Sequence, residues 1–293
     1  MTQPVADQRN RRSVTLAAMP IEDLRARVVL VTGAGSGIGR ATAIALAAEG
    51  ARLVICDRDG ATLEDTRARL GSACVMSATV DVTDREAMRS FAERVHAAFG
   101  ALDVLINNAG VAHAGRMIDT SLEDWDFVMG VNVGGVVHGC HFFVPAMVKR
   151  GRGGHVVNVA SMVGLFPLPG IIAYVTSKFG VVGLSEALRA ELAPHGIGVS
   201  VVCPGVTRTG ISRAMRISDA LAGYRSQLDR FGGSVGHDPT SVARAIVEAI
   251  RSNRGTVPVS PESRALHWLR RRAPRAAGWL GEAIARVSPG EVV

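Results

Sequence analysis

From about residue 27 the chain alternates short, continuously apolar runs with longer amphipathic ones. Arg27 to Thr32, Ala51 to Asp57, Cys74 to Val80, Leu102 to Asn107, His155 to Ala160, Gly198 to Cys203 and Thr256 to Val259 are rich in β-branched residues and read as strands. Between them, Gly37 to Gly50, Ala61 to Leu70, Asp84 to Phe99, Leu122 to Lys149 and Ala173 to Ala193 read as helices. Strands without a polar face, separated by helices, predict a parallel sheet covered on both sides. The expected fold class is therefore α/β, a Rossmann-type doubly wound sheet of about seven strands in a single domain, with a C-terminal helical extension.

Two stretches depart from this rhythm. Thr209 to His237 is long and Gly-rich, and within it Met215, Ile217, Leu221, Tyr224 and Leu228 recur at near-helical spacing, which suggests a hydrophobic lid over Ile211 to Phe231. After the last strand, Ser260-Pro261 reads as a helix cap with its first residue, and Pro274 opens a second helix. The organisation expected is a flexible leader over 1–26, the α/β catalytic domain over 27–260, and a basic amphipathic extension over 261–293.

Composition changes this picture little. The 293 residues are enough for one well-buried core, and the formal charge of +7 comes largely from the ends, in Arg9, Arg11, Arg12 and in Arg264, Arg270, Arg271, Arg272, Arg275 and Arg286. No basic groove interleaved with aromatics marks the core, so nucleic acid is not an expected partner. The extension carries Leu266, Trp268, Leu269, Trp279, Leu280 and Ile284 among its arginines. Such a tail can lie on an anionic membrane as a peripheral contact, or pack on its own domain or a partner subunit. The four cysteines lie far apart with no metal-ligand spacing, so no metal site is expected, and buried free thiols suit the cytoplasm. The apolar run after Arg11-Arg12 is too short for an export signal, and the most apolar stretch, Val131 to Val148, is broken by Asn132, His138 and His141.

Candidate chemistry begins at Gly33-Ala34-Gly35-Ser36-Gly37-Ile38-Gly39, between the first strand and first helix. Glycines there permit a tight turn and let backbone N–H groups approach a pyrophosphate at the positive end of a helix. Asp57 closes the second strand 18 residues beyond Gly39, where a carboxylate can accept hydrogen bonds from ribose hydroxyls and repel a 2′-phosphate. That favours NAD over NADP, whereas Arg58 beside it would suit the 2′-phosphate; the NADP alternative stays open.

Tyr174 and Lys178 are four apart at a helix start and share a face, with Ser161 thirteen residues upstream at a strand end and Asn132 inside the long preceding helix. Oxidising an alcohol requires removal of its hydroxyl proton, and a free tyrosine titrates near ~10, too high for a base at neutral pH. An ammonium about 4 Å away is worth roughly 4 kcal/mol at an effective dielectric near 20, so Lys178 is expected to bring Tyr174 towards neutrality. Ser161 would hold the substrate oxygen, and Asn132 a water touching Lys178.

With these residues, with Asp81-Val82, Asn107-Asn108-Ala109-Gly110 and Pro204-Gly205-Val206-Thr207-Arg208-Thr209, the chain resembles the classical short-chain dehydrogenases/reductases over roughly residues 27 to 260. The resemblance implies a nicotinamide-dependent oxidoreductase acting on a small-molecule alcohol or ketone. It implies that Asp81 and Val82 contact adenine, that Asn108, Ala109 and Gly110 line the cofactor, and that Tyr174 and Lys178 lie against the nicotinamide ribose. It implies that Pro204, Gly205, Thr207 and Thr209 cover the nicotinamide. Ser36 stands where NADP-preferring relatives often carry a basic residue, and Thr207 where relatives often have Ile or Val. Family members are commonly homodimers or homotetramers built on the helices that hold Asn132 and Lys178. The apolar segment Met162 to Pro169 and the lid predict a lipophilic or uncharged substrate, although Arg213 and Arg216 could meet an anion. A non-catalytic NAD-binding sensor is the rival from another class; such proteins usually lose part of the Ser–Tyr–Lys set, which is complete here. His113 is left without a role.

Overall fold

A computed structural model describes residues 20–209, 215–224 and 236–287. Seven strands form one parallel sheet: β1 (Val28–Thr32), β2 (Arg52–Asp57), β3 (Cys74–Thr79), β4 (Val104–Asn107), β6 (Gly154–Val159), β7 (Ile197–Cys203) and β9 (Thr256–Pro258), in the order β3-β2-β1-β4-β6-β7-β9. β1, β4, β6 and β7 are buried at every residue, which is why their sequences show no polar alternation. Helices α1 (Gly37–Ala48), α2 (Gly60–Leu70) and α7 (Pro239–Ser252) close a core on one face around Val29, Val31, Leu53 and Ile55. On the other face α3 (Arg85–Phe99), α5 (Gly135–Arg150) and α6 (Ile172–Leu192) pack around Leu30, Val54, Phe91 and Phe143. The strand order reverses between β1 and β4, and in open α/β sheets the crevice beyond the carboxyl ends at such a point is where ligands bind.

The structure differs from the sequence reading at four places. Residues 20–26, assigned to the leader, include Leu24, which is 1% exposed in the core, and Ile21, which packs against that core. Helix α7, capped by the Asp238 side chain, has no counterpart among the helices expected. The single helix expected from Leu122 is α4 (Leu122–Met129), a five-residue π-turn over Gly130–Gly134, and α5. It is long and apolar enough to cross a membrane, yet half of its most apolar window is buried against the domain. Of the lid, the described part is a short strand β8 (Arg216–Ile217), paired in parallel with β5 (His113–Ala114), followed by a 3-10 turn over Asp219–Tyr224. Ile211, Arg213 and Leu228 lie outside the described residues, as does the side chain of Tyr224.

The extension forms α8 (Pro261–Arg272), capped by Ser260, and α9 (Pro274–Val287), as Ser260-Pro261 and Pro274 predict. Helix α8 is bound to the domain by Ser263, whose hydroxyl donates to the Cys203 carbonyl (2.8 Å), and by Arg270, whose guanidinium donates to the Leu165 carbonyl (2.9 Å) and lies over the Phe179 ring (4.4 Å to its centroid). Trp268 and Trp279 face outward.

Candidate active site

The turns that follow β1 and β4 lie side by side at the reversal point. A Cβ on Gly33 (φ +63°) would sit 2.7 Å from the Ala109 Cα, and one on Gly39 only 2.0 Å from the Gly33 carbonyl oxygen, so the loop closes on the first turn of α1 in a way that only glycine allows. Asn108 stitches the two turns together: its side-chain amide donates to the carbonyls of Thr32 (2.9 Å) and Gly33 (3.1 Å). The Thr32 hydroxyl in turn accepts from the backbone N–H groups of Asn108 and Ala109. Asp59 and Asp84 cap α2 and α3 with their side chains, but Ser36 offers α1 none, and the first turn of α1 holds no acidic residue. The N–H groups of Gly37, Ile38 and Gly39 thus form a positive helix end in a glycine cradle, and the cradle fits a pyrophosphate.

Asp57 stands at the rim of this cradle. One carboxylate oxygen accepts from the Gly35 N–H (2.8 Å) and the other from the Asp59 N–H (3.0 Å), which fixes the side chain beside the loop with lone pairs to spare. Arg58 is exposed and lies next to Asp59. Arg40, which the sequence reading passed over, pairs with Asp65 (2.8 Å) and donates to the Thr66 hydroxyl and to the Gly35 carbonyl, so it braces the loop from behind. Asp81 is exposed and accepts from the Thr83 N–H and hydroxyl. Val82 is buried against Gly135, and His138 is hydrogen-bonded to its carbonyl.

The four residues expected to carry chemistry are brought together. Ser161, at the end of β6, accepts from the Val163 N–H (3.4 Å) and lies beside the Tyr174 phenol. One turn along α6, Lys178 Nζ lies 5.6 Å from the Tyr174 ring centroid and donates to the Val159 carbonyl (3.1 Å). A Cβ on Gly110 would touch both Asn132 Oδ1 (3.3 Å) and Lys178 Nζ (3.4 Å). Asn132 sits inside the π-turn, a feature frequent at functional sites, and its amide grips the chain after Gly110: Oδ1 accepts from the Val111 N–H (2.8 Å) and Nδ2 donates to the Val111 carbonyl (3.0 Å). The same Nδ2 donates to the Ser177 hydroxyl, which itself donates to the Tyr174 carbonyl. Ser177 therefore couples Asn132 to the helix turn that bears Tyr174, a role not anticipated from sequence.

One electrostatic expectation is corrected. Burial raises the Tyr174 phenol, with the nearby Ser161 hydroxyl opposing, and Lys178 is itself pushed down to about 8 by burial. The ammonium lies against the ring face and bonds a backbone carbonyl, so on its own it does not draw the phenol towards neutrality. The neighbouring Cys203 thiol is pushed up to about 12, chiefly by burial, and stays protonated at neutral pH.

The loop Pro204 to Thr209 runs from this centre to the cradle. Its first carbonyl accepts from the Met162 N–H (2.7 Å), beside Ser161, and at its far end the Thr209 Cβ lies 3.1 Å from where a Cβ on Gly37 (φ +52°) would stand. In the segment after Ser161, Val163, Leu165 and Phe166 are buried in the protein, which leaves Met162 and Leu168 half-buried. Arg216 does not stand free to meet an anion: it lies 3.7 Å over the Phe127 ring and pairs with Asp124 (3.2 Å), pinning β8 to α4. His113 is fully buried 3.4 Å from the same carboxylate, and burial lowers its pKa despite Asp124. Among the described residues no cluster of His, Cys, Asp and Glu could hold a metal.

A family model described as short chain dehydrogenase matches residues 27–219. EphD of Mycobacterium tuberculosis strain H37Rv, named an oxidoreductase, is 44% identical over 257 residues, which covers 85% of this chain but 43% of that protein. The chain thus spans under half the length of that relative. The 3-oxoacyl-[acyl-carrier-protein] reductase FabG of Thermotoga maritima is 36% identical over 227 residues, covering 76% of this chain and 90% of that protein. Among solved structures, a short chain dehydrogenase/reductase from Burkholderia phymatum in complex with NAD superposes with a TM-score of 0.80 at 32% identity, covering 92% of this chain and 99% of that one.

Proposed function

The chain belongs to the short-chain dehydrogenase family, and from that premise we propose that it is an NAD(H)-dependent oxidoreductase interconverting a secondary alcohol and a ketone, with Tyr174 as the general acid/base. The observation that carries this reading is the convergence of Ser161, Tyr174, Lys178 and Asn132 around Gly110, directly beside a cradle suited to a dinucleotide. When bound, the nicotinamide supplies the hydride acceptor or donor and, oxidised, a positive charge. The chain's own residues do the rest. Ser161 holds the substrate oxygen beside the Tyr174 hydroxyl, and Tyr174 takes the proton in oxidation or returns it in reduction. Lys178 keeps a positive charge against the phenol, and Asn132 fixes the Gly110–Val111 backbone between them. Gly33, Gly35, Ser36, Gly37, Ile38 and Gly39 would hold the pyrophosphate, Asp57 the adenosine ribose, and Asp81 with Val82 the adenine. Asn108, Ala109 and Gly110 would line the cofactor, Tyr174 with Lys178 the nicotinamide ribose, and Pro204, Gly205, Thr207 and Thr209 the carboxamide end.

The half-buried apolar side chains of Met162 and Leu168 support an uncharged, lipophilic substrate, as does the engagement of Arg216 by Asp124. A complete Ser–Tyr–Lys set supports turnover over cofactor sensing. The exposed Val137 on α5 suits the helix-to-helix homodimer common in the family, a tetramer being the alternative, and four unbridged cysteines suit a reducing cytoplasm. Following reduced-nicotinamide absorbance with NAD and NADP against secondary alcohols, from short diols to steroids, tests the assignment. Turnover confined to charged acids, or none at all, would count against it.

The NAD preference rests on Asp57 and agrees with the cofactor of the Burkholderia phymatum neighbour. Asp57→Ala removes both the ribose acceptor and the charge facing a 2′-phosphate. The expected result is a fall of about tenfold or more in the NAD-to-NADP ratio of kcat/KM, the scale of one charge-assisted hydrogen bond. An unchanged ratio would remove Asp57 from cofactor selection.

A further inference from the structure

The first turn of α8, in the C-terminal extension, presses on the loop that joins the catalytic centre to the dinucleotide cradle. A Cβ on Gly205 would fall 2.0 Å from Glu262 Oε1 and 2.4 Å from the Ser260 hydroxyl, so these two side chains lie directly on the loop backbone. The same Glu262 oxygen is 2.9 Å from His237 Nε2. His237 is in turn bridged to the loop through its own backbone: its N–H donates to the Val206 carbonyl and its carbonyl accepts from the Arg208 N–H, each at 2.8 Å. Ser263, the next residue of α8 and wholly buried, donates to the carbonyl of Cys203, immediately before the loop. Seven residues on and on the same helix face, Arg270 anchors α8 a second time, at Leu165 and Phe179. Burial works against the Glu262 charge, but bonds from Ser260, its own N–H and His237 outweigh it and hold the carboxyl below its usual range.

We propose that Glu262, through Gly205 and His237, is a positioning residue that pre-forms the loop Pro204 to Thr209 for the nicotinamide half of the cofactor, making the C-terminal extension part of the binding site. The inference rests on the nicotinamide reading above. A loop already held in its binding shape loses less freedom on association, so its restraint appears as affinity. The restraint falls chiefly on the nicotinamide half, because the pyrophosphate cradle and Asp57 have their own holders in Asn108, Arg40 and the Gly35 N–H, and the loop meets the cradle only through Thr209 at Gly37.

The test compares the dissociation constants of NADH and of ADP-ribose, which lacks the nicotinamide, in the full chain. In Glu262→Ala the NADH constant should rise about tenfold, while ADP-ribose binding and the melting temperature of the protein alone stay near wild type. His237→Ala should move NADH in the same direction by less, and Glu262→Gln, which keeps an acceptor for His237, should recover much of the loss. Equal weakening of both ligands, or NADH binding unchanged in both alanine variants, overturns the proposal. Wild-type protein that binds NADH no more tightly than ADP-ribose also overturns it, since the loop would then add nothing. Failure of the wild type to bind either ligand would instead bring down the dinucleotide reading itself.

Discussion

Tyr174→Phe is expected to lower kcat by about 10²- to 10⁴-fold, the range general acid–base catalysis contributes, while the NADH dissociation constant moves less than about threefold. The substitution deletes one oxygen and leaves the ring on which Lys178 rests. Ser161 keeps its bond from the Val163 N–H, so the end of β6 should not rearrange. The loss should therefore fall on proton transfer and not on cofactor binding, and it should appear in kcat and kcat/KM alike. Stopped-flow single-turnover absorbance of the bound nicotinamide, beside a fluorescence titration with NADH, separates the two effects. A kcat within a few-fold of wild type would mean that another group moves the proton.

The same centre shows how far the sequence reaches. Strands β1, β4, β6 and β7 are buried on both faces, and continuous apolar runs announce this without ambiguity. The cradle and the Tyr174–Lys178 pair are local spacings on a helix or a turn, so they too can be read directly. The π-turn at Asn132 escaped because one extra residue in a turn hardly disturbs an apolar periodicity that continues on both sides. Leu24 escaped because a single buried leucine in a polar stretch carries no period, although it fills a place in the core. The contact of Glu262 with Gly205 joins residues 57 apart across two elements, and no local pattern encodes it. Arg216 illustrates the opposite error, since its charge suggested a ligand while the fold had supplied Phe127 and Asp124. The direction of the Tyr174 shift depended on where the ammonium points, and spacing along a helix does not contain that.

The buried ammonium has a second consequence, because what catalysis requires of Lys178 the fold pays for. Its pKa is about 8 in the folded chain against its ordinary 10.5, with burial as the leading cause, so at pH 7 the ammonium, though still protonated, is destabilised by about 3 kcal/mol relative to the unfolded chain. Lys178→Met keeps an unbranched side chain in the same space and removes that penalty. It also orphans the Val159 carbonyl, which now accepts from Nζ, at a cost of about 1 kcal/mol. The variant should thus be nearly inactive yet more stable than wild type at pH 7, by roughly 2 kcal/mol. Below pH 8 the amine is protonated in both folded and unfolded chains, and the penalty is complete. Between about 8 and 10.5 the folded chain has released a proton that the unfolded chain retains, so wild-type stability gains on the variant as pH rises. Urea denaturation of both proteins at pH 7 and pH 10 measures this directly. The variant's advantage should be largest at pH 7 and shrink or reverse by pH 10; a variant less stable at pH 7, or an advantage independent of pH, would show that the ammonium is better solvated than its burial indicates.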